Sequence, residues 1–310
     1  MSAIADLTVA SDPHVFLIGR PPIGELLGFF RTMCVDGQSI DLASVTAEWR
    51  IANDHVLKLE NDEAGLADNP PVIALAESLA PLAASVMSDS VCRRAYQFVP
   101  TDVAVIDLNR VVVFQKFINL AYVDELKCRL GPTPSPEAVF RFALPLQPEQ
   151  PQFHMMQNAQ NMYTMVSPST DFRFLEAQIL RPRNVQSFDS TGRPVAILGL
   201  AIGYGSNFLN VIYAENRLVL GNGSHRAYAL RDLGINQIPC LIQRVTRREE
   251  LDLVASGDFA TSPDRYLKSP RPPMLRDYFD PALRKIVPVY RKNRVVRVQF
   301  GIEQTDIPAQ

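Results

Sequence analysis

The sequence lacks the clustered cysteines that build disulfide frameworks and zinc sites. Its 310 residues include four cysteines, and no two of them form a Cys-x-x-Cys pair. They are Cys34, Cys92, Cys128 and Cys240. Cysteines scattered in this way are typical of reduced thiols in a cytoplasmic protein. We therefore predict a cytoplasmic protein without a zinc cluster.

Long hydrophobic runs are also missing. The longest candidate, Val195 to Ile202, is far shorter than the roughly 20 apolar residues that span a bilayer. The first residues, MSAIADLTVASD, lack the basic start and the apolar stretch of a secretory signal peptide. We expect neither a membrane-spanning segment nor secretion.

Several common catalytic signatures are absent. The chain has no Gly-x-x-x-x-Gly-Lys-Ser/Thr loop, no His-Glu-x-x-His pair and no Gly-x-Ser-x-Gly elbow. Three of its histidines, His14, His55 and His154, stand apart from other candidate ligands. These absences argue against P-loop nucleotide hydrolysis, zinc proteolysis and serine hydrolysis of the usual types.

The composition is that of an ordinary globular protein. Hydrophobic residues make up 47% of the chain and charged residues 21%, and the net charge is −2. A chain of this length can bury a large core and form two domains. The small net charge gives no general case for a nucleic-acid surface.

One segment, Asp264 to Arg297, is basic. It carries ten Lys and Arg residues against three Asp, a net charge of +7, so the remainder of the chain carries −9. We expect it to dock on the acidic remainder or on a partner subunit, because proline and apolar residues interrupt its charges. Binding to nucleic acid remains an alternative that we do not favour.

Residues 1 to 95 are predicted to be mainly helical and to form an accessory or oligomerisation region. Ser44 is a candidate N-cap for a helix over Val45 to Leu59. An alanine-rich run, Val72 to Met87, should be kinked or split by Pro81. This region carries no recognised functional motif.

The centre of the chain alternates between strand and helix patterns. Residues 100 to 114 favour one or two strands, and Tyr122 to Leu130 favours a helix that Gly131 ends. Residues 131 to 190 are interpreted as an insertion. Its methionine-rich piece, Phe153 to Met165, fits an irregular core better than a lid over a ligand.

Three further elements are predicted near the carboxyl end. Thr246 to Glu249 fits a capping box, Pro281 to Ile286 a short helix, and Arg294 to Phe300 a final strand. The predicted regions are thus residues 1–95, a core at 96–257, and a basic extension at 258–310.

The most informative segment is Leu218 to Gln243. An apolar strand stops at Gly221-Asn222-Gly223, a helix begins at Ser224, and a second apolar strand covers Ile238 to Gln243. A helix start leaves unbonded N–H groups and the positive end of the helix dipole at one place, which suits an anion. The pattern predicts a phosphate site, with His225 and Arg226 beside it.

This segment resembles the ParB/sulfiredoxin superfamily. There a strand, a Gly-x-x-His-Arg or Gly-Glu-Arg-Arg turn, a short helix ending in Leu-Gly and a strand bearing Ile-Pro form a nucleotide phosphate site. The matching residues are Gly221, Ser224, His225, Arg226, Ala229, Leu233, Gly234, Ile238 and Pro239. Sulfiredoxin activity requires a cysteine just before the His-Arg pair, and Ser224 stands there. We therefore do not expect reduction of sulfinic acids.

A weaker match lies upstream, at Val103 to Leu130, with a strand, a loop bearing Gln115-Lys116 and a helix. The resemblance implies a mixed α/β core with a small sheet, and a nucleotide held by the two matched segments. The implied binding residues are Gly221, Asn222, Gly223, Ser224, His225, Arg226, Gln115 and Lys116. His225 is a candidate catalytic residue, which would donate a hydrogen bond to a β- or γ-phosphate or transfer a proton.

The resemblance also implies a general base. In the family's phosphotransferases an acidic residue from the upstream side activates the acceptor hydroxyl, so Asp124 and Glu125 are candidates. For each of these two residues the alternative is a solvated surface carboxylate. For Arg226 and Lys116 the alternatives are a structural ion pair and an exposed lysine.

Three functions stay open. The favoured one is a nucleotide-dependent phosphotransferase or nucleotide hydrolase that acts on a small metabolite, using ATP or another nucleoside triphosphate with Mg²⁺. The second is a DNA-associated ParB-like nucleotide switch or nuclease, although no helix-turn-helix follows the core. The third is a non-catalytic ligand-binding or scaffold module. A homo-oligomer fits any of them.

Overall fold

The computed structural model describes residues 10–35, 37, 39–185 and 191–308. The chain forms two compact units. The first consists of the described residues of Met1–Gln147 and Ser206–Arg291, and the second of those of Pro148–Gly205 and Lys292–Gln310. Helices and several small sheets occur together, which confirms the predicted mixed α and β class.

Helices and strands follow one another along the described chain without a regular repeat. The helices are α1 (Ile23–Met33), α2 (Leu42–Asp62), α3 (Ala80–Ser88), α4 (Ser90–Ala95), α5 (Leu120–Leu130), α6 (Pro136–Ala143), α7 (Ser224–Asp232), α8 (Leu251–Val254), α9 (Gly257–Thr261) and α10 (Asp264–Leu267). The strands are β1 (Ser11–Leu17), β2 (Val72–Ile73), β3 (Thr101–Asp107), β4 (Phe117–Asn119), β5 (His154–Ala159), β6 (Met162–Ser167), β7 (Phe172–Leu180), β8 (Ile197–Tyr204), β9 (Asn210–Ala214), β10 (Arg217–Asn222), β11 (Gln237–Arg244), β12 (Arg284–Tyr290) and β13 (Arg294–Gln299).

The central sheet of the first unit has the strand order β10-β9-β11-β3-β2. The β9–β10 and β11–β3 pairs are antiparallel, whereas β11 and β9 run parallel. The strands predicted at Arg217 to Leu220 and Ile238 to Gln243 therefore share one sheet, with β9 between them. Their apolar side chains are buried, and helix α6 packs against β11.

Helix α7 is anchored through a buried apolar stretch. Ala227, Tyr228, Ala229 and Leu230 are all buried, and α7 packs against α5. The chain leaves the helix at Gly234 with φ +79°, a left-handed conformation that suits glycine. The predicted end of this helix is confirmed.

The amino-terminal region is less purely helical than predicted. Strand β1 pairs with both β12 and β4, and β2 pairs with β3. Helix α2 begins at Leu42, and the Asp41 carboxylate accepts a hydrogen bond from Ala43 N at 3.0 Å. The prediction of Ser44 as N-cap was therefore wrong, because an equally good capping residue precedes it.

Pro81 does not kink a helix. It lies in the first turn of α3, which begins at Ala80. In that position proline costs nothing, since the N–H group it lacks would have had no partner within the helix. The residues before it form β2 and a 3₁₀ turn at Glu77–Leu79.

The basic carboxyl-terminal segment folds back on the protein, as predicted, through two strands. Strand β12 pairs with β1 and strand β13 with β6. The final strand is confirmed, but the short helix expected at Pro281 to Ile286 was wrong. A 3₁₀ helix at Leu275–Phe279 precedes this stretch, and β1 provides a distant strand partner that local sequence does not reveal.

The predicted capping box forms with Glu250 instead of Glu249. The Glu250 carboxylate accepts hydrogen bonds from the N–H groups of Thr246 at 2.8 Å and Arg247 at 3.1 Å. These bonds lower the pKa of Glu250 to about 2. Glu249 was therefore the wrong choice, because the helical turn begins one residue later than predicted, with Arg247 as its N-cap and Glu250 three residues on. Gly257 opens α9 and does not end the preceding helix.

The second unit contains the sheets β13-β6-β5 and β7-β8. The methionine-rich piece forms the antiparallel β5–β6 pair, with Met165 buried and Met155 and Met156 exposed. It is a pair of sheet strands with a register shift between Gln157 and Ala159, not the irregular core that we expected. Strands β8 and β9 follow one another in the chain but belong to different sheets.

Within the described ranges, no helix is both long and apolar enough to cross a membrane.

Candidate functional site

The turn between β10 and α7 requires glycine at position 223 and is tightly packed at position 221. Gly223 has φ +91° and ψ 24°, a left-handed conformation. A Cβ atom on Gly223 would lie 2.9 Å from Leu209 Cγ, and one on Gly221 would lie 3.0 Å from Asn210 Oδ1. Any side chain at Gly223 would meet both backbone strain and a collision.

Asn222 holds the turn in shape. Its Nδ2 donates hydrogen bonds to Ser206 O at 3.0 Å and Phe208 O at 3.2 Å, and its Oδ1 accepts one from Gly223 N at 2.8 Å. The Asn222 carboxamide is thus committed to the backbone, and its contribution to ligand binding is indirect.

The amino terminus of α7 has the character of an anion site. No side chain caps it, and Ser224 is its first residue. The first N–H groups of a helix have no acceptor within the helix, and they lie at the positive end of its dipole. An anion placed here would gain backbone hydrogen bonds and a favourable field.

A cavity of about 190 Å³ lies against this turn. Its wall is formed by Val113, Phe114, Gln115, Leu220, Gly221, Asn222, Gly223, Ser224 and Ser256. Gln115 comes from the upstream segment, and the hydroxyl group of Tyr278 donates a hydrogen bond to its backbone oxygen. The structure therefore brings Gln115 together with the predicted Gly221–Ser224 turn.

His225 serves as a link between helices α7 and α5. Its Nε2 accepts a hydrogen bond from Asn119 N at 3.1 Å, and Tyr122 packs against its ring with centroids 5.4 Å apart. Burial, together with the smaller effects of the nearby charges of His14 and Arg226, lowers the pKa of His225 to about 4. The imidazole is therefore neutral at pH 7, with Nε2 engaged as an acceptor.

Arg226 is buried. Its contacts do not support the phosphate-binding role that was predicted for it. Its Nη1 donates hydrogen bonds to Phe142 O at 3.1 Å and Ala143 O at 2.8 Å. These carbonyl groups lie at the carboxyl end of α6, where a helix dipole favours a cation. Arg226 is absent from the residues that line the cavity. The contacts support the structural alternative for Arg226.

Lys116 is held between two carboxylates. Its Nζ lies 2.7 Å from Glu25 Oε2 and 2.9 Å from Asp258 Oδ2. Burial alone would lower the pKa of Lys116, but the hydrogen bonds to Glu25 and Asp258 raise it. Its charge is therefore neutralised within the protein, and it does not line the cavity beside the turn.

The candidate general bases lie on the surface. Asp124 and Glu125 are 69% and 64% exposed. Asp124 pairs with Lys127 at 3.2 Å and Glu125 with Arg129 at 3.6 Å, both along α5 itself. Helices α5 and α7 do pack together, but neither carboxylate lines the cavity. Their position fits the alternative of solvated surface charges.

Asn119 is a structural residue that the sequence reasoning missed. Its Oδ1 caps α5 by accepting a hydrogen bond from Tyr122 N at 3.1 Å, and its Nδ2 donates one to Asp12 Oδ2 at 3.1 Å. In the β1–β4 pair it lies opposite His14. An asparagine directly before a helix pattern is a capping signal that was available in the sequence.

Among the described residues, no group of three or more His, Cys, Asp and Glu side chains could hold a metal ion. The chain matches no protein-family model, no curated protein and no solved structure.

Proposed function

We propose that this protein binds the phosphate groups of a nucleotide at the Gly221–Ser224 turn, and that it acts as a nucleotide-dependent phosphotransferase or nucleotide hydrolase on a small metabolite. One observation carries the proposal. The two segments that resemble ParB/sulfiredoxin-like proteins are distant in sequence, yet Gln115 from one and the glycine turn from the other line the same cavity. Hydrogen bonds from Val112 N to Leu218 O and from Leu220 N to Val112 O, each 2.8 Å long, hold the upstream segment beside the turn.

The groups that would hold a phosphate are mainly backbone groups. The N–H groups at the start of α7 and the hydroxyl of Ser224 supply donors, and the Gln115 amide supplies one more. A cavity of about 190 Å³ is smaller than the roughly 300 Å³ at which ligand pockets usually begin. It suits the phosphate portion of a nucleotide, with the rest extending outside.

Mg²⁺ is part of the proposal only because the resemblance to the ParB/sulfiredoxin superfamily implies it. None of the described residues that line the cavity carries a carboxylate. The hydroxyl groups of Ser224 and Ser256 are the side chains that could approach a metal ion bound to phosphate oxygens. The ion would neutralise phosphate charge when bound, and the protein's own part would be to orient the phosphates.

A second candidate function, non-catalytic nucleotide binding, is supported by the lack of a general base in the described lining of the cavity. His225 is neutral and committed to Asn119, while Asp124 and Glu125 lie on the surface. The described lining of the cavity therefore holds no group suited to take a proton from an acceptor. A non-catalytic nucleotide-binding module would need no such group.

A Gln115→Ala variant tests the proposed site. We expect nucleotide affinity to fall by roughly five- to tenfold, because a hydrogen bond is worth about 1 kcal/mol. Gln97→Ala is a matched control, since Gln97 is exposed, donates a hydrogen bond to Arg94 O and does not line the cavity. Equal affinities in the two variants would remove Gln115 from the site.

Turnover separates the two functions. A phosphotransferase or hydrolase releases nucleoside diphosphate in the presence of Mg²⁺ and an acceptor metabolite, whereas a binding module retains the triphosphate. A gel-shift assay with duplex DNA tests the DNA-associated alternative, in which DNA binding would depend on the nucleotide and weaken with salt.

A further inference from the structure

Strands β7 and β8 form a two-stranded ribbon with one apolar face. Residues that lie opposite each other in an antiparallel pair have their side chains on the same face, and the face alternates along each strand. Six apolar residues share one face in three opposed pairs: Phe174–Ile202, Ala177–Leu200 and Ile179–Leu198. The charged residues of β7, Arg173 and Glu176, lie opposite Gly203 and Ala201 and therefore belong to the other face. We call the face with the six apolar residues the apolar ribbon face.

The exposure of the apolar ribbon face increases towards the end at which β7 stops and β8 begins. On β7, Phe172 is 2% exposed, Phe174 49% and Ile179 78%. On β8, Leu200 is 39% exposed and Leu198 68%. Single exposed apolar residues are common in soluble proteins, but a contiguous exposed apolar face is typical of a surface that binds a partner or a membrane.

Three arginines lie at the exposed end of the ribbon. Arg181 and Arg183 follow β7, and Arg193 precedes β8. All three are exposed, and within the described ranges none of them forms an ion pair. In the sequence, segment 181–196 contains one acid, Asp189, and has a net charge of +2. The apolar ribbon face therefore ends beside positive charge that its own segment does not neutralise.

An apolar surface beside unpaired arginines matches the chemistry of an anionic membrane surface. Apolar side chains can enter the boundary between lipid headgroups and acyl chains, while neighbouring arginines bind the negatively charged headgroups. The apolar stem of an arginine can lie among acyl chains with its guanidinium group at the headgroups. We propose that the apolar ribbon face binds the surface of a lipid bilayer that contains anionic lipids. This proposal does not rest on nucleotide binding.

The ribbon would lie on the bilayer and would not cross it. Among the described strands, β7 and β8 pair only with each other, so each has an outer edge of unpaired N–H and C=O groups. Such open edges do not occur in the hydrocarbon core of a bilayer. Arg173 and Glu176, on the opposite face of the ribbon, would stay in water.

A second copy of the chain is a poorer occupant of this face because the face is small. Strand β7 has nine residues, which at about 3.4 Å per residue span roughly 30 Å, and two strands about 4.8 Å apart have a width of roughly 10 Å. The footprint of roughly 300 Å² is well below the roughly 800 Å² that each partner buries in a stable interface. A bilayer sets no such minimum, because each apolar side chain that enters it contributes separately.

Nucleic acid is also a poorer occupant. The arginines could bind phosphate groups, but interfaces with DNA are polar and positively charged. Binding to DNA would therefore leave Ile179, Leu198 and Leu200 without apolar partners. The aliphatic side chains favour a lipid surface over a phosphate backbone.

Co-sedimentation of the full chain with vesicles tests the proposal. One set of vesicles contains phosphatidylcholine alone, and the other contains phosphatidylcholine and phosphatidylserine in equal amounts. We expect binding to the mixed vesicles, weaker binding to phosphatidylcholine alone, and a smaller difference between the two at high salt. No binding of folded protein to the mixed vesicles, or equal binding to both sets at low salt, would overturn the proposal.

Two apolar variants test whether the apolar ribbon face makes the contact. Ile179→Thr and Leu198→Thr should each weaken binding to the mixed vesicles at least about tenfold, because each removes a large aliphatic group from the contact. Threonine keeps the strand preference of a β-branched residue. Ile51→Thr is the matched control, since Ile51 on α2 is as exposed as Leu198. The same affinity in the Ile51→Thr and Leu198→Thr proteins would contradict the proposal.

An arginine variant tests the electrostatic part of the contact. Arg181→Gln should weaken binding to the mixed vesicles roughly fivefold and leave binding to phosphatidylcholine unchanged, the effect expected for one arginine at an anionic surface. Arg50→Gln, which changes an exposed arginine of α2, is the control. Identical effects of the two variants would show that Arg181 does not meet the headgroups, and the proposal would fail.

Other occupants are identified by analytical ultracentrifugation and by a gel-shift assay with duplex DNA. We expect the wild type and Leu198→Thr to have the same oligomeric state, and Ile179→Thr to leave any DNA binding unchanged. A dimer that Leu198→Thr dissociates would assign the apolar ribbon face to a second copy. DNA binding that Ile179→Thr and Arg181→Gln both weaken would assign it to nucleic acid. Either result would refute binding to lipid.

Discussion

The glycine turn and the charged side chains around it differ in whether their hydrogen-bonding groups are available to a ligand. The turn at Gly221–Ser224 lines a cavity and leads into a helix start that no side chain caps. By contrast, Arg226 is bonded to α6 carbonyl groups, His225 to Asn119, and Lys116 to two carboxylates. The charged residues build the site, and the backbone is the part available for binding.

Under the proposed function, the site would attract phosphate without an exposed cation at its centre. Backbone N–H groups at a helix start supply hydrogen bonds and a partial positive charge. Their position is fixed by Asn222 and by the buried face of α7. Substitutions in the turn and in the charged shell should therefore have distinct consequences.

The largest effect is expected at the turn itself. Gly223→Val should reduce the free energy of unfolding by about 3–5 kcal/mol, combining left-handed backbone strain with overpacking against Leu209. Chemical denaturation measures the loss. Gly234→Val is the matched control at the other end of α7, because Gly234 also has positive φ but nothing within 4 Å of its Cβ position. Equal losses would show that contact with Leu209 is unimportant.

A smaller loss is expected in the charged shell. Arg226→Ala should lower the free energy of unfolding by about 2–3 kcal/mol, because it removes buried hydrogen bonds from a charged donor to Phe142 and Ala143. Arg141→Ala, an exposed partner of Glu137 on α6, should change it by less than about 0.5 kcal/mol. Retained stability with weakened nucleotide binding would instead restore the phosphate role for Arg226.

The lowered pKa of His225 predicts that the free energy of unfolding depends on pH. Its pKa is lowered from 6.5 to about 4 in the folded protein, so the unfolded chain binds the extra proton first. The stabilisation is present above pH 6.5 and is lost as the pH falls towards 4, by on the order of 2–3 kcal/mol. His14 adds to the same trend, since burial lowers its pKa too.

The His225→Gln variant isolates this contribution. Glutamine can accept a hydrogen bond near the position of Nε2 but does not titrate. Its unfolding free energy, measured by denaturation between pH 4 and pH 7, should therefore fall less steeply than that of the wild type. Parallel pH profiles for the two proteins would show that His225 is not the responsible group.

The smallest effect is expected on helix α5. Asp124→Asn and Glu125→Gln should each change stability by less than about 0.5 kcal/mol, because their ion pairs are exposed. Nucleotide turnover, if the wild type shows it, should stay within about twofold of the wild-type rate, since neither side chain lines the cavity. A loss of turnover with intact binding would return one of them to the role of general base.

The elements around the turn could be predicted because their signals are local. The apolar strand, the two glycines and the helix from Ser224 follow one another directly, and the structure has each of them. Helix α5 and its end at Gly131 could be predicted from local sequence in the same way. The left-handed conformation of Gly223 follows from the same local pattern.

The partners of the charged residues could not be predicted because they are distant in the sequence. Arg226 meets the end of α6, and His225 meets Asn119, only after the sheet and helices have packed. Strand β1 was missed for a similar reason, since its partners β4 and β12 come from other parts of the chain. A charged residue beside a glycine turn carries no local sign of whether it faces a ligand or a neighbouring helix.

The central claim is that the backbone turn at Gly221–Ser224 binds nucleotide phosphate. Calorimetric titration of the wild-type protein with ATP, ADP, CTP and GTP in the presence of Mg²⁺ tests it most directly. The account predicts saturable binding of at least one of these nucleotides, weakened in Gln115→Ala and unchanged in Gln97→Ala. No heat of binding with any of the four nucleotides, from protein shown to be folded, would contradict it.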